Sequence, residues 1–298
     1  MFRKVKNYFE GRETQDGAGV KLRRCFGYHQ IPDFDPFLMM DFFDSTDPSD
    51  YRRGFPWHPH RGIETVTYLI KGEIEHGDSI GNSGVIRNSQ CQWMTAGSGI
   101  LHQELPQPSA EMLGVQVWLN LAASNKMTEP QYGDITEAMI PVYEDDQKKV
   151  KIIAGEYQGL SGQIQRTDTR PTFFDVELAA ESKFIFELQA DYNAYAFLIR
   201  GEANFEPGKE NLKKYPQGVL YENGSKIKVN TAQNTARFLF LAGKKLNEPI
   251  AWGGPIVMNS REELAAASKE LDNGTFIKSK NEKKPTQINK FYQENNTK

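Results

Sequence analysis

Four residues carry the chemistry this sequence offers: His58 and His60 in HPHRG, and His102 and Glu104 in HQE. In an extended strand, residues two apart project from one face, ~6.5–7 Å apart along the backbone. Each pair therefore puts two nitrogen or oxygen donors on one side of one strand. If the two strands face each other inside a barrel, three imidazoles and a carboxylate converge on a single metal ion. Residues 61–101 are long enough to run out and return. Gly81-Asn82, set between extended runs at 73–80 and 85–86, has the composition of a tight hairpin. A lone histidine in a strand is ordinarily a surface or hydrogen-bonded residue. The doubled pattern, H-x-H and H-x-E, points to metal binding instead. His29, in a loop before Ile31-Pro32, and His76, at a strand edge beside Gly77, have no such company and read as structural or solvated.

The elements that must position these pairs are strands. Residues 20–25 alternate around Arg23 and Arg24, residues 34–44 (FDPFLMMDFFD) suit an inner strand, and Asp47-Pro48-Ser49-Asp50 is a turn. Residues 113–121 (LGVQVWLNL) alternate with period two. Val115, Val117 and Leu119 share one face and Gln116, Trp118 and Asn120 the other, which predicts a half-buried strand. Residues 125–136 are polar, with Pro130 and Gly133, and read as the linker. A second series of short strands follows at 150–154, 172–178, 183–188, 195–199, 218–221, 226–229 and 237–242. Helical pattern is confined to the end, where Ser260-Arg261-Glu262-Glu263 forms a capping box and the helix stops at Asn273-Gly274. The tail from Lys278 is rich in Lys, Asn and Gln and reads as a surface extension or disordered.

Composition excludes several classes. A net charge of −3 over 298 residues gives no electrostatic footprint for nucleic acid or an anionic membrane. No apolar run reaches the ~18–20 residues of a membrane span, and MFRKVKNYFEG lacks the continuous apolar core of a signal peptide. Two cysteines, Cys25 and Cys91, are too few for a disulfide framework and are expected as free thiols. The expectation is a soluble, cytoplasmic, monomeric protein.

The chain also repeats itself. YLIKGE at 68–73 and FLIRGE at 197–202 match in residue type at every position, at an offset of 129 residues. That reads as a duplicated β-domain. No histidine follows His102, so the second copy lacks metal ligands. Domains are accordingly expected at 1–130, with the metal, and 131–298, without it and ending in the helix and tail.

The combination HPHRG, ETVTY, WMTAGSGI and H-x-E resembles the signature of the pirin family within the cupin superfamily. VKLRRCFGYHQIPDFDPFLMMDFF, KMTEPQY and LNEPIAWGGPIVMNSREEL extend the resemblance over most of residues 18–275. Two departures exist: Trp57 stands where the family often has an acidic residue, and Asn88–Cys91 replaces a Pro-Gly-Asp turn. The resemblance implies an all-β bicupin, two tandem jelly-roll-like barrels with a short C-terminal helix. It puts the family's ligands on His58, His60, His102 and Glu104. Three imidazoles and a carboxylate suit one divalent ion per chain, Fe(II) first, with Ni, Cu, Mn or Zn as substitutes. Four protein ligands leave two positions of an octahedral ion open. Glu64 competes for the carboxylate role, because it follows His60 at the spacing other cupins use and shares its strand parity. Its alternative role is to orient a ligand imidazole through a hydrogen bond.

Similarity to pirins further implies a quercetin 2,3-dioxygenase activity acting on a small phenolic substrate and O2, with Glu104 as the catalytic proton acceptor. The alternative is a non-enzymatic, metal-containing regulator that acts through a protein partner, as a transcriptional co-regulator or a modulator of a metabolic enzyme.

Overall fold

Apolar and polar residues alternate along most of this chain, and glycines interrupt them at the turns, so the backbone pairs almost entirely into antiparallel strands. The computed structural model describes residues 1–279 apart from 165–167, 207, 209 and 210; the tail beyond Ser279 lies outside the described residues. Among the described residues no helix is long and apolar enough to cross a membrane. Both cysteines are free and buried. Two compact units form, each a cupin barrel.

The first unit gathers residues 13–29, 37–137 and 247–279 of the described chain. A seven-stranded sheet runs in the order Gln131–Ile135, Gln90–Thr95, Ile63–Lys71, Met112–Asn120, Phe37–Ser45, Val20–Phe26, Arg12–Asp16. A four-stranded sheet runs Phe55–His60, Ile100–Gln107, Glu73–Asp78, Ser83–Ile86. An apolar cluster of Val20, Leu22, Phe43, Leu69, Ile74, Ile86 and Met112 joins the two sheets at one end of the barrel. The hairpin expected at Gly81-Asn82 closes Glu73–Asp78 onto Ser83–Ile86.

Three expectations change here. Strand Met112–Asn120 is buried on both faces, because its polar face lines a site inside the barrel and not solvent. The stretch 125–136 is no linker: Gln131–Ile135 pairs along its length with Gln90–Thr95, which satisfies its backbone hydrogen bonds at the sheet edge. A cut between residues 130 and 131 also fails to separate the units. Strand Val5–Phe9 pairs with Gln217–Tyr221 in the second unit. The C-terminal segment belongs to the first, where it buries Ile256, Met258, Ala267 and Phe276 against Leu101.

That C-terminal segment is held by specific contacts. Ser260 and Glu263 form the expected capping box of helix Arg261–Asp272. Gly62, at φ +76°, lies so close to the Val257 carbonyl that a Cβ would come within 2.0 Å of its oxygen, so only glycine fits. Arg61, next to His60, is buried and donates to Ser98 O, Glu270 Oε2 and Phe276 O, with its guanidinium 4.2 Å from the Phe276 ring centroid. Lys126 is 1% exposed, and its ammonium donates to Gly62 O at 2.8 Å, Asn120 Oδ1 at 2.6 Å and Val257 O at 2.9 Å. Three donors meet three acceptors.

The second unit, residues 1–12, 30–36 and 138–246, is built on a ten-stranded sheet. The strands expected at 172–178 and 183–188 appear as Thr172–Leu178 and Lys183–Glu187, and the other five lie within two residues of their expected start. Phe174, Phe184, Phe238, Phe240, Ile227 and Val229 fill its interior.

Removing the Lys126 ammonium leaves buried acceptors unpaired, at about 1–3 kcal/mol each. Lys126→Met should therefore lower the unfolding free energy in urea by about 3 kcal/mol or more. A loss under about 1 kcal/mol would contradict the clamp.

Candidate metal centre

Strand Phe55–His60 sets His58 directly across from His102 on Ile100–Gln107, and His60 across from Ile100. Opposed residues in an antiparallel pair put their side chains on one face, and H-x-H parity adds His60 to that face. The register then shifts: Glu104 pairs with Phe55, so the His58 strand carries an extra residue at Pro56–Trp57. A bulge at a proline is expected, since Pro56 has no N–H to give the ladder.

The three imidazoles converge. Their candidate ligand atoms lie within 4.8 Å of one another. His58 Nδ1 donates to Pro56 O at 2.8 Å and His60 Nδ1 to Pro255 O at 3.0 Å. A carbonyl only accepts, so both Nδ1 atoms carry the proton, and in the neutral imidazole each Nε2 then carries a lone pair. These two Nε2 atoms lie 3.0 Å apart. His102 is 0% exposed, and neither ring nitrogen has a hydrogen-bond partner among the described residues. Converging lone pairs and an orphaned buried imidazole are the electrostatic signature of a cation site.

The protonation states agree. Burial pushes the imidazole of His58 below its ordinary range, partly offset by the Pro56 bond and the Glu104 charge. Burial and then the His58 neighbour push His60 well below it. His102 is lowered likewise, by burial and then by His58, His60 and His76. A metal ligand must be the neutral imidazole, so protons compete poorly for this site at neutral pH.

Glu104 lies outside the three-histidine cluster. It is 3% exposed. Its Oε1 accepts from Thr67 Oγ1 at 2.9 Å and its Oε2 from Gln116 Nε2 at 2.7 Å. Gln116 Oε1 in turn accepts from Trp118 Nε1 at 3.3 Å. Thr67, Gln116 and Trp118 all belong to the seven-stranded sheet, so that sheet grips the carboxylate while the four-stranded sheet carries the imidazoles. Glu64 accepts from Thr95 Oγ1 at 2.6 Å and also lies outside the cluster.

The sequence alone left these supporting residues unassigned. Gln116 and Trp118 were visible as the polar face of a strand, and that face is the available signal. Nothing in composition marks the Pro255 carbonyl. His29 is exposed, whereas His76 is buried rather than solvated. Tyr132 Oη lies 2.6 Å from His76 Nδ1, and His76 Nε2 lies 3.2 Å from Asp134 Oδ2. Gly84 makes room for that pair, since a Cβ there would sit 2.7 Å from Asp134 Oδ2.

A cleft of about 610 Å³ opens onto His58 and His60. Tyr28, Phe55, Trp57, Trp118 and Trp252 line it. His60 meets Trp118 edge-on at 5.0 Å between centroids, and Trp252 lies over Trp118 at 5.8 Å.

Fold and site together define a two-barrel cupin in which one barrel holds a histidine cluster fit for a metal ion. Residues 19–119 match the Pirin family and residues 173–277 the Pirin C-terminal cupin domain. A pirin-like protein of Caulobacter vibrioides is 40% identical over 277 residues, covering 92% of this chain and 99% of its own. Human Pirin is 35% identical over 265 residues, covering 88% and 90%. A quercetin 2,3-dioxygenase from Acinetobacter baumannii has a crystal structure that superposes at a TM-score of 0.84 with 29% identity, covering 93% of this chain and 99% of that one. The chain belongs to the pirin family.

The native chain should bind one equivalent of metal, and His58→Ala, His60→Ala and His102→Ala should each remove most of it. His76→Ala and His29→Ala should leave it unchanged. Elemental analysis of the purified variants checks this, and equal loss in His76→Ala would refute the ligand set.

Proposed function

We propose that the protein is an iron-dependent dioxygenase of the pirin type that opens the ring of a flavonol such as quercetin, releasing carbon monoxide. The observation that carries this reading is the cluster of converging imidazoles at an aromatic-lined cleft. Resemblance to a solved quercetin 2,3-dioxygenase supports it. His58, His60 and His102 would hold the ion, with Glu104 as the fourth donor. Bound there, iron would supply coordination of the substrate hydroxyl and activation of dioxygen.

The chain's own residues do the rest. Trp118 and Trp252 offer flat apolar surface to a planar ring. Glu104 takes the proton of the flavonol hydroxyl. Thr67 and Gln116 restrict the carboxylate to one orientation, which lowers the entropy lost when it meets the substrate. Burial keeps bulk water from competing for that proton. Glu64, bonded to Thr95 outside the histidine cluster, supports the site without binding the ion.

Glu104→Gln tests the role of the carboxylate. The amide keeps an oxygen of similar size but accepts no proton at neutral pH. Oxygen uptake with quercetin should fall by about 10²–10⁴-fold, with metal content far less affected. Glu64→Gln should cost no more than about 10–100-fold. If Glu64→Gln loses metal while Glu104→Gln keeps both metal and rate, the carboxylate is misassigned. If iron-loaded protein consumes no oxygen with any flavonol, and a single stoichiometric partner is captured instead, the regulatory reading takes its place.

A further inference from the structure

One part of the cleft has no task in the chemistry above. Arg24, on strand Val20–Phe26, pairs directly across from Asp41 on Phe37–Ser45. Its Nε donates to Asp41 Oδ1 and its Nη2 to Asp41 Oδ2, both at 2.8 Å, a two-pronged grip. The same Nη2 donates to Asp16 Oδ2 at 2.6 Å. All three side chains line the cleft that holds His58 and His60.

Arg24 invites reading as an anion receptor, and the geometry argues against it. Two carboxylates face one guanidinium, so the group carries a net charge of −1. The Asp41 side chain is 4% exposed and spent on Arg24, whereas that of Asp16 is 48% exposed. Asp16 Oδ1 accepts from Gly17 N at 2.7 Å. Each carboxylate oxygen still has a second lone pair. The cleft therefore offers strong acceptors beside aromatic walls and no free cation among these three groups. Hydroxyl donors bind such acceptors better than neutral ones, and an anion meets a like charge in a partly dry space.

We propose that the Asp16–Arg24–Asp41 group is the specificity determinant of the cleft, favouring aromatic substrates that present free hydroxyls, such as a catechol ring, and rejecting aromatic substrates that carry a carboxylate, sulfonate or phosphate. Asp41 holds Arg24, Arg24 orients Asp16, and Asp16 reads the ligand. This rests on the reading that the cleft takes a phenolic substrate.

The test measures binding, not turnover. Iron-loaded protein under argon is titrated with quercetin, with galangin (the same flavonol without the catechol hydroxyls) and with a ring-sulfonated quercetin, following quenching of tryptophan fluorescence. Quercetin should bind about ten-fold or more tighter than galangin, the contribution of one hydrogen bond to a charged acceptor, and the sulfonate should bind worst. Asp16→Asn should erase the preference for quercetin while leaving galangin affinity and iron content unchanged. Asp16→Lys should bring the sulfonate level with galangin. Equal binding of quercetin and galangin to the native protein, or an equal loss for both in Asp16→Asn, would overturn the inference and leave the phenolic cleft standing. Failure of every flavonol to bind would overturn the phenolic reading and this inference with it.

Discussion

Two imidazole nitrogens that both carry lone pairs lie 3.0 Å apart inside the first barrel, beside a third imidazole with no hydrogen-bond partner among the described residues. Left alone, that arrangement is unfavourable: buried polar atoms lose water and gain nothing. A cation at their convergence changes the sign of the interaction. Much of the surrounding structure keeps the imidazoles neutral and aimed. The Pro56 and Pro255 carbonyls fix which nitrogen carries the proton. The opposed register of His58 and His102 fixes their spacing.

The two sheets of that barrel divide the work. The four-stranded sheet supplies the imidazoles, and the seven-stranded sheet supplies the groups that grip Glu104 and Glu64. A bulge at Pro56–Trp57 separates the two functions, because it breaks the register between His102 and Glu104. The C-terminal segment is part of the same construction, since Pro255 orients His60 and Trp252 lines the cleft. Lys126 and Arg61 hold that segment with buried, hydrogen-bonded cations, which bind strongly only when their acceptors are in place.

The second barrel shows what the same architecture becomes without histidines. Strands Lys183–Glu187 and Lys226–Asn230 pair with each other as the two histidine strands do. Their inward residues are Phe184, Ile227 and Val229, part of a packed aromatic core. Such an interior is stabilised by burial alone, whereas the first barrel combines apolar packing at one end with a polar centre.

Local patterns were legible without the fold. H-x-H and H-x-E parity, the Gly81-Asn82 hairpin, the capping box at Ser260 and the strand series after residue 148 depend on interactions between residues close in sequence. The duplicated YLIKGE and FLIRGE segments disclosed two barrels for the same reason. What the sequence could not supply are relations between distant segments. The exchange of ends between units, the gripping of Glu104 by Thr67 and Gln116, the Pro255 carbonyl on His60 and the Asp16–Arg24–Asp41 group each need segments to meet that no period or motif connects. Residues 125–136 misled because polarity resembles a linker, while pairing with Gln90–Thr95 makes part of them a strand. Side-chain parity is set by the local backbone, whereas which buried donor meets which acceptor is set by sheet register and packing, and only the tertiary structure decides those.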